Sequence, residues 1–258
     1  MASIRIDVKE RDVIAAIAGY DGYLFDLDGV LTPTAEVHMR AWQQVFDEVF
    51  AEHNIAPPYT ADDYFTYVDG KQRYDGVASL LASRGVVLDW GTPTDGPEQR
   101  TVCGVGNRKN AVFSALLSSE GVAPYLGAVA LLDALAGAPL AVVSSSKNAA
   151  EVLRAAGLRD RFAAVVDGAR AEHEGLRSKP EADMFLRGAE LLGVEPGRCV
   201  AFEDALSGVA SAASAGCGLV VGVDRAGAAH PGAAEALLRA GAHMIVGDLG
   251  ELVAGGEQ

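Results

Sequence analysis

Two aspartates stand two residues apart where an apolar run ends: Tyr23-Leu24-Phe25 leads straight into Asp26 and Asp28. In extended backbone, residues i and i+2 project to one side, so these carboxylates would face the same way. A buried, unpaired carboxylate costs on the order of several kcal/mol, so the pair calls for a cation, strong donors or water. Glu203-Asp204 closes a second apolar run, CVAF, with more carboxylate. Oxygen ligands from two such strand ends suit Mg²⁺, which takes a couple of carboxylates and keeps water and phosphate for its other positions. The string DLDG also begins an EF-hand calcium loop, but that loop would need a Glu where Val37 stands. Ser144, at the end of LAVVS, and Lys179, in RSKPEADMF, bring a hydroxyl and an ammonium, groups that suit the peripheral oxygens of a transferring phosphoryl group. Alone, each reads as a helix cap or a solvated charge. It is the order Asp-x-Asp, Ser, Lys, Glu-Asp that points to phosphoryl chemistry.

The elements that must position these residues are legible as apolar runs of strand length: YLFDL (23–27), LAVVSS (140–145), AAVVDG (163–168), CVAFED (199–204), GLVVGVD (218–224) and MIVGD (244–248). They do not alternate polar with apolar, as expected of strands buried on both faces of a parallel sheet. Helical patterns separate them: GAVALLDALAG, NAAEVLRAAG, EADMFLRGAELLG, SGVASAASAG and GAAEALLRAGA, several ending in Gly. Strand alternating with helix predicts an α/β fold, a doubly wound, Rossmann-like parallel sheet whose chemistry lies at the carboxyl ends of its strands. Asp26, Ser144, Asp204 and Asp224 fall there. Between residues 34 and 121 no comparable strand appears; AEVHMRAWQQVFDEVFAEH and DGVASLLASRG are helical and DWGTPTDGPEQR is turn-rich. The expected division is a core of residues 1–32 and 122–258 with a helical cap domain, residues 33–121, inserted after the first core strand.

Composition sets outer limits. Half of the 258 residues are hydrophobic, enough for a substantial core, and the net charge of −14 argues against non-specific binding to nucleic acid or an anionic membrane. Cys103, Cys199 and Cys217 are widely spaced without a CxxC pair, which fits a reducing compartment and no zinc site. The N-terminal MASIRIDVKERDV is too charged for a signal peptide, and Asp133 and Pro139 break the most apolar later stretch. A cytoplasmic monomer with a small-molecule partner, without nucleic acid or membrane, is the expectation.

The four-part pattern resembles the haloacid dehalogenase superfamily of aspartate-based phosphotransferases, whose motifs match DLDGV (26–30), Ser144, Lys179 and Glu203-Asp204. The resemblance spans essentially the whole chain. It implies that Asp26 is the nucleophile, forming an aspartyl phosphate, and that a protonated Asp28 is the general acid/base. It also implies Mg²⁺ at Asp26, Asp28 through its backbone carbonyl, and the Glu203-Asp204 pair.

A mutase working through a sugar bisphosphate must hold a second phosphate, and a phosphatase need not. Candidates for that second site are Ser145, Ser146, Lys147 and Asn148, which open a helix pattern, Arg73 in VDGKQRYDG, and Lys109 in GNRKNAV. Thr34, His38 and Trp42 are four apart, so one helix face can present all three. These stretches resemble the beta-phosphoglucomutase family: Thr34-Ala35-Glu36, His38, Ala41 and Trp42 match its cap helix, Gly70 and Arg73 its cap loop, and Arg108-Lys109-Asn110 and Ser144 to Asn148 its phosphate-binding strings. The resemblance implies interconversion of beta-D-glucose 1-phosphate and glucose 6-phosphate through beta-glucose 1,6-bisphosphate. The alternative is a Mg²⁺-dependent phosphatase acting on a sugar phosphate or other small phosphomonoester. Three features depart from the family: Pro33 where Asp is usual, Ala205 where Ser is usual, and a longer turn-rich segment around residues 89–106.

Overall fold

The computed structural model describes residues 17–225, 227 and 232–253. The N-terminal stretch read above as too charged for a signal peptide lies outside them. Six parallel strands form one sheet in the order β3-β2-β1-β4-β5-β6. They are β1 (Gly22–Phe25), β2 (Leu140–Val143), β3 (Ala164–Val166), β4 (Cys199–Glu203), β5 (Leu219–Val223) and β6 (Met244–Val246). Five fall inside the apolar runs, and β1 begins one residue before its run, at Gly22.

Alternate residues of the central strands enter different apolar layers. Tyr23, Phe25, Val142, Val200 and Phe202 join one cluster, while Leu24, Ala141, Val143 and Ala201 join the other. Both faces are therefore covered, which is why the runs lack polar alternation. Phe25 stands opposite Phe202 in the ladder, and their rings stack at 4.5 Å. Each ring, fully buried, contributes about 1.5–3 kcal/mol by its removal from water.

Helices cover the sheet: α4 (Leu126–Ala134), α5 (Ala149–Ala155), α6 (Gly168–Glu174), α7 (Asp183–Leu192), α8 (Leu206–Ser214) and α9 (Ala233–Ala240). Helix α6 has no counterpart among the predicted helical patterns, because GARAEHE is short and carries no apolar stripe. It is started by Asp167, whose carboxylate accepts from Arg170 N at 2.8 Å.

A helical segment, the expected cap, lies between β1 and β2. Its long members are α1 (Thr34–His53), α2 (Arg73–Ser83) and α3 (Val102–Glu120). Val45, Phe46, Val49 and Phe50 of α1 join Tyr59, Val77, Leu80 and Leu81 in an apolar cluster separate from the sheet layers. The ends of α1 and α3 nearest the sheet do not belong to that cluster: Val37, Ala41, Phe113 and Leu117 pack into a sheet layer instead. Cap and core thus share apolar packing at the root.

Strand order reverses at β1, which pairs with β2 on one side and β4 on the other. Ladder hydrogen bonds run one residue past the strands, with Asp26 N donating to Phe202 O and Ser144 N to Val166 O, both at 2.9 Å. The first aspartate and the motif serine are therefore fixed by backbone at the switch point of the sheet, where open α/β folds bind ligands.

Candidate active site

A cavity between sheet and cap is lined by the carboxylates Asp26, Asp28, Glu203 and Asp204. The cations Arg73, Lys109 and Lys147 line it as well. Of the other residues singled out from the sequence, His38, Trp42, Gly70, Ser144, Ser145, Ser146 and Asn148 are also on its wall.

At the sheet, Lys179 is 1% exposed and its ammonium is fully used. It donates to Asp26 Oδ1 at 2.7 Å, Glu203 Oε1 at 2.5 Å and Val143 O at 3.1 Å. Burial opposes its charge, but the two carboxylates hold Lys179 above the usual lysine range. The surplus of negative charge falls on the other acids. Burial pushes Asp26 well above its ordinary value, with Lys179 opposing and Glu203 and Asp28 adding to the rise. Asp204 is raised by burial, then by Asp69, Glu203 and Asp26. Gly29 lets this happen: at φ +87° it brings its Cα against the Asp204 carboxylate, where a Cβ would overlap it.

Glu203, expected among the metal ligands, has both oxygens committed elsewhere. Oε1 takes the Lys179 ammonium and Oε2 accepts from Ala205 N at 3.0 Å, on a residue without exposed surface. Thr34, expected to touch substrate, lies fully buried behind the wall, where its hydroxyl donates to Asp28 Oδ1. Among the described residues, no three His, Cys, Asp or Glu side chains stand in metal-holding geometry.

Asp28 departs from expectation in its protonation. It was expected to be a proton-bearing acid. Burial pushes it up, but His38, Thr34 and Lys109 together hold it below the ordinary carboxylate value. The reason is its direction: Asp28 faces the cap rather than Asp26. His38 Nε2 stands 3.5 Å from Asp28 Oδ1, and Lys109 hydrogen-bonds His38 Nδ1 from the other side. The imidazole stacks on Phe113 at 4.0 Å, and the Lys109 ammonium lies 5.1 Å from the Trp42 ring and 4.7 Å from that of Phe113. Burial and the neighbouring Arg73 push Lys109 well below the lysine range, and burial and Lys109 keep His38 low. Burial and the neighbouring cations thus favour the neutral form of both side chains.

Farther along the cap, Arg73 donates to Asn110 Oδ1 at 2.8 Å, and Asn148 Nδ2 of the core donates to the same oxygen at 2.6 Å. Lys147 is partly neutralised by Glu172 at 2.7 Å and rests 4.4 Å from the Tyr74 ring. Two core hydroxyls hold the cap loop: Ser145 Oγ donates to Gly70 O at 2.7 Å and Ser207 Oγ to Asp69 O at 3.0 Å.

Sequence reasoning missed Asp69 and Tyr64, both on the cavity wall. Burial and Glu203 push Asp69 up to about 7, against the Tyr64 hydroxyl and Lys179. The signal was its place beside Gly70 in VDGKQR, where a loop already assigned to the site carries an acid. Asp224 lines a neighbouring groove with Arg225 and Tyr125.

The chain is similar in sequence and fold to known proteins. A family model for haloacid dehalogenase-like hydrolases matches residues 20–216. The beta-phosphoglucomutase of Mycobacterium bovis is 46% identical over 239 residues, 89% of this chain and 90% of that protein. Hexitol phosphatase A of Escherichia coli is 31% identical over 77% of this chain and 81% of its own. The crystal structure of a beta-phosphoglucomutase from Clostridium difficile superposes with a TM-score of 0.70 at 24% identity, covering 90% of this chain and 93% of that one, a likeness of fold. Motifs, sheet order and relatives agree: this chain belongs to the haloacid dehalogenase-like hydrolase family and is beta-phosphoglucomutase-like within it.

Proposed function

We propose that the protein is a beta-phosphoglucomutase, interconverting beta-D-glucose 1-phosphate and glucose 6-phosphate through beta-glucose 1,6-bisphosphate. The observation that carries this reading is one cavity bounded by the Asp26 end of the sheet and by Arg73, Lys109 and Lys147, so that two phosphates have somewhere to go. Residues 33–121 act as the cap domain and the remainder as the core. The chain works as a cytoplasmic monomer; its three buried, free thiols suit a reducing compartment.

Asp26, Asp204 and the main-chain carbonyl of Asp28 would hold Mg²⁺. The donor set fits, because it is all oxygen and because burial, and after it repulsion among the neighbouring acids, raises Asp26 and Asp204. The ion would neutralise charge on Asp26 and on the transferring group.

In the first half-reaction, phosphorylated Asp26 faces a sugar phosphate whose own phosphate is gripped by Arg73 and Lys109. A free sugar hydroxyl attacks phosphorus, its proton passes to Asp28, and the bond from phosphorus to Asp26 breaks. An ionised Asp28 is the form that step requires, and His38, Thr34 and Lys109 favour it. After the bisphosphate turns end for end, Asp26 attacks the other phosphorus and Asp28 returns its proton to the leaving oxygen. Closure through Ser145, Ser207 and the Asn148–Asn110 bond keeps water from the aspartyl phosphate. Lys179 holds Asp26 in place throughout.

A phosphatase is the second reading, favoured by the 31% identity to hexitol phosphatase A. The deciding experiment incubates the protein with beta-glucose 1-phosphate, Mg²⁺ and a trace of beta-glucose 1,6-bisphosphate, following glucose 6-phosphate and inorganic phosphate together. Glucose 6-phosphate with little free phosphate establishes the mutase. Phosphate release without isomerised product moves the protein to the hydrolases.

A further inference from the structure

The turn-rich segment expected around residues 89–106 runs across residues 86–101 without helix or strand, and Val102 to Gly106 already belong to α3. It is nevertheless well tied. Asp95 accepts from the hydroxyls of Thr92 at 2.7 Å and Thr101 at 2.6 Å, and the first amides of α3, Val102 N and Cys103 N, donate to Asp89 O and Trp90 O. The loop ends by presenting two main-chain carbonyls to one side chain: Asn107 Nδ2 donates to Pro93 O at 3.1 Å and to Asp95 O at 2.8 Å.

Those two bonds fix which way the Asn107 amide points, and its oxygen is left facing α2. There Asn107 Oδ1 accepts from Tyr74 Oη at 2.9 Å and from Arg73 Nη1 at 3.4 Å. Gly106 permits the approach, since a Cβ at that position would come within 2.7 Å of the Tyr74 ring and 3.1 Å of Arg73 Cδ. Tyr74 in turn carries the Lys147 ammonium on its face. One amide thus touches a cation of the distal site directly and reaches a second through a ring.

We propose that Asn107 is a positioning residue for the distal phosphate, and that the 86–101 loop exists to orient it. The loop carbonyls spend both donors of the amide, so its oxygen holds Arg73 and Tyr74 in the orientation that a phosphate meets. This rests on Arg73 being phosphate-binding, as the proposed mutase requires. Binding of an anion to a guanidinium already held in place costs less side-chain entropy than binding to a free one.

The test compares mutase flux from beta-glucose 1-phosphate with hydrolysis of p-nitrophenyl phosphate, which carries one phosphate, and reads their ratio. Asn107→Leu is expected to lower the ratio about tenfold, the size of one charge-assisted hydrogen bond, mainly through KM for the sugar phosphate. In an Arg73→Ala background the same substitution should add less than about twofold, because the two residues act as a unit. Asp95→Ala, at a half-buried loop position, should move the ratio in the same direction by a smaller factor, and circular dichroism checks that each variant is folded. Equal loss in both assays, or full additivity with Arg73→Ala, overturns the positioning role. If Arg73→Ala itself leaves the ratio unmoved, the two-phosphate reading falls; if Arg73→Ala moves it and Asn107→Leu does not, only the role of Asn107 falls.

Discussion

The two ends of the cavity are built differently. At the sheet, Asp26 and Ser144 are placed by main-chain ladder bonds, and one buried ammonium bridges two carboxylates at 2.7 and 2.5 Å. At the other end, Arg73 and Lys109 of the cap and Lys147 of the core are placed by other side chains, among them Asn107, Asn110, His38 and Glu172. Backbone placement tolerates no adjustment and suits a group that must attack in line. Side-chain placement can yield, which suits an end that must accept either phosphate of a bisphosphate as it turns.

Breaking the sheet end should have the largest effect. Asp26→Asn removes the nucleophile and should lower both mutase flux and aryl phosphate hydrolysis by at least about 10⁴-fold. Activity surviving in either assay would exclude Asp26 as the phosphoryl acceptor. Lys179→Met should cost both activity and stability, about 3–5 kcal/mol, since it strands Asp26 and Glu203 as buried carboxylates without their cation. Urea denaturation measures this, and an unchanged midpoint would mean that the ammonium does not hold the site together.

At the cap end the expected losses are smaller and selective. Arg73→Ala should lower the ratio of mutase flux to aryl phosphate hydrolysis by roughly 30- to 100-fold, the worth of a desolvated charge-assisted contact. A uniform loss would show that Arg73 supports the cap generally rather than one phosphate.

The same difference explains what could be read from the sequence. Strand-end chemistry is compressed into short strings: DLDG, a Ser after AVV, a Lys before Pro, and Glu-Asp after CVAF each report a residue and the element that carries it. The six strands were legible for the same reason, as continuous apolar runs. Glu203 and Thr34 are expected at ligand and substrate because a motif gives residue type and not direction; Glu203, though on the cavity wall, is spent on Lys179 and Ala205 N, and Thr34 lies behind the wall against Asp28. Asp28 was expected to carry a proton because only its partner Asp26 was in view. The side chains that decide otherwise, His38 and Lys109, lie 10 and 81 positions further along. Asn107 left no signal at all, since its role depends on carbonyls of a loop without periodicity.

Asp69 joins the two ends, a cap residue whose carboxyl meets the sheet's acids, and it offers the finest test. Its ordinary value of 3.8 is raised to about 7 by burial and Glu203. Between those values the native protein keeps a proton that the unfolded chain has released, so the contribution of Asp69 to stability falls as pH rises from about 4 to about 7. Asp69→Asn removes this dependence and leaves every other titrating group in place. Metal-free wild type and variant, melted side by side in chelator, should differ little near pH 4. By pH 8 the variant should melt higher by on the order of 5 °C. Added Mg²⁺ should narrow the gap by supplying the charge that the crowded acids of wild type need. A gap that stays constant with pH would place Asp69 outside the carboxylate cluster. One that opens with pH but ignores Mg²⁺ would keep Asp69 in the cluster and remove the ion from it.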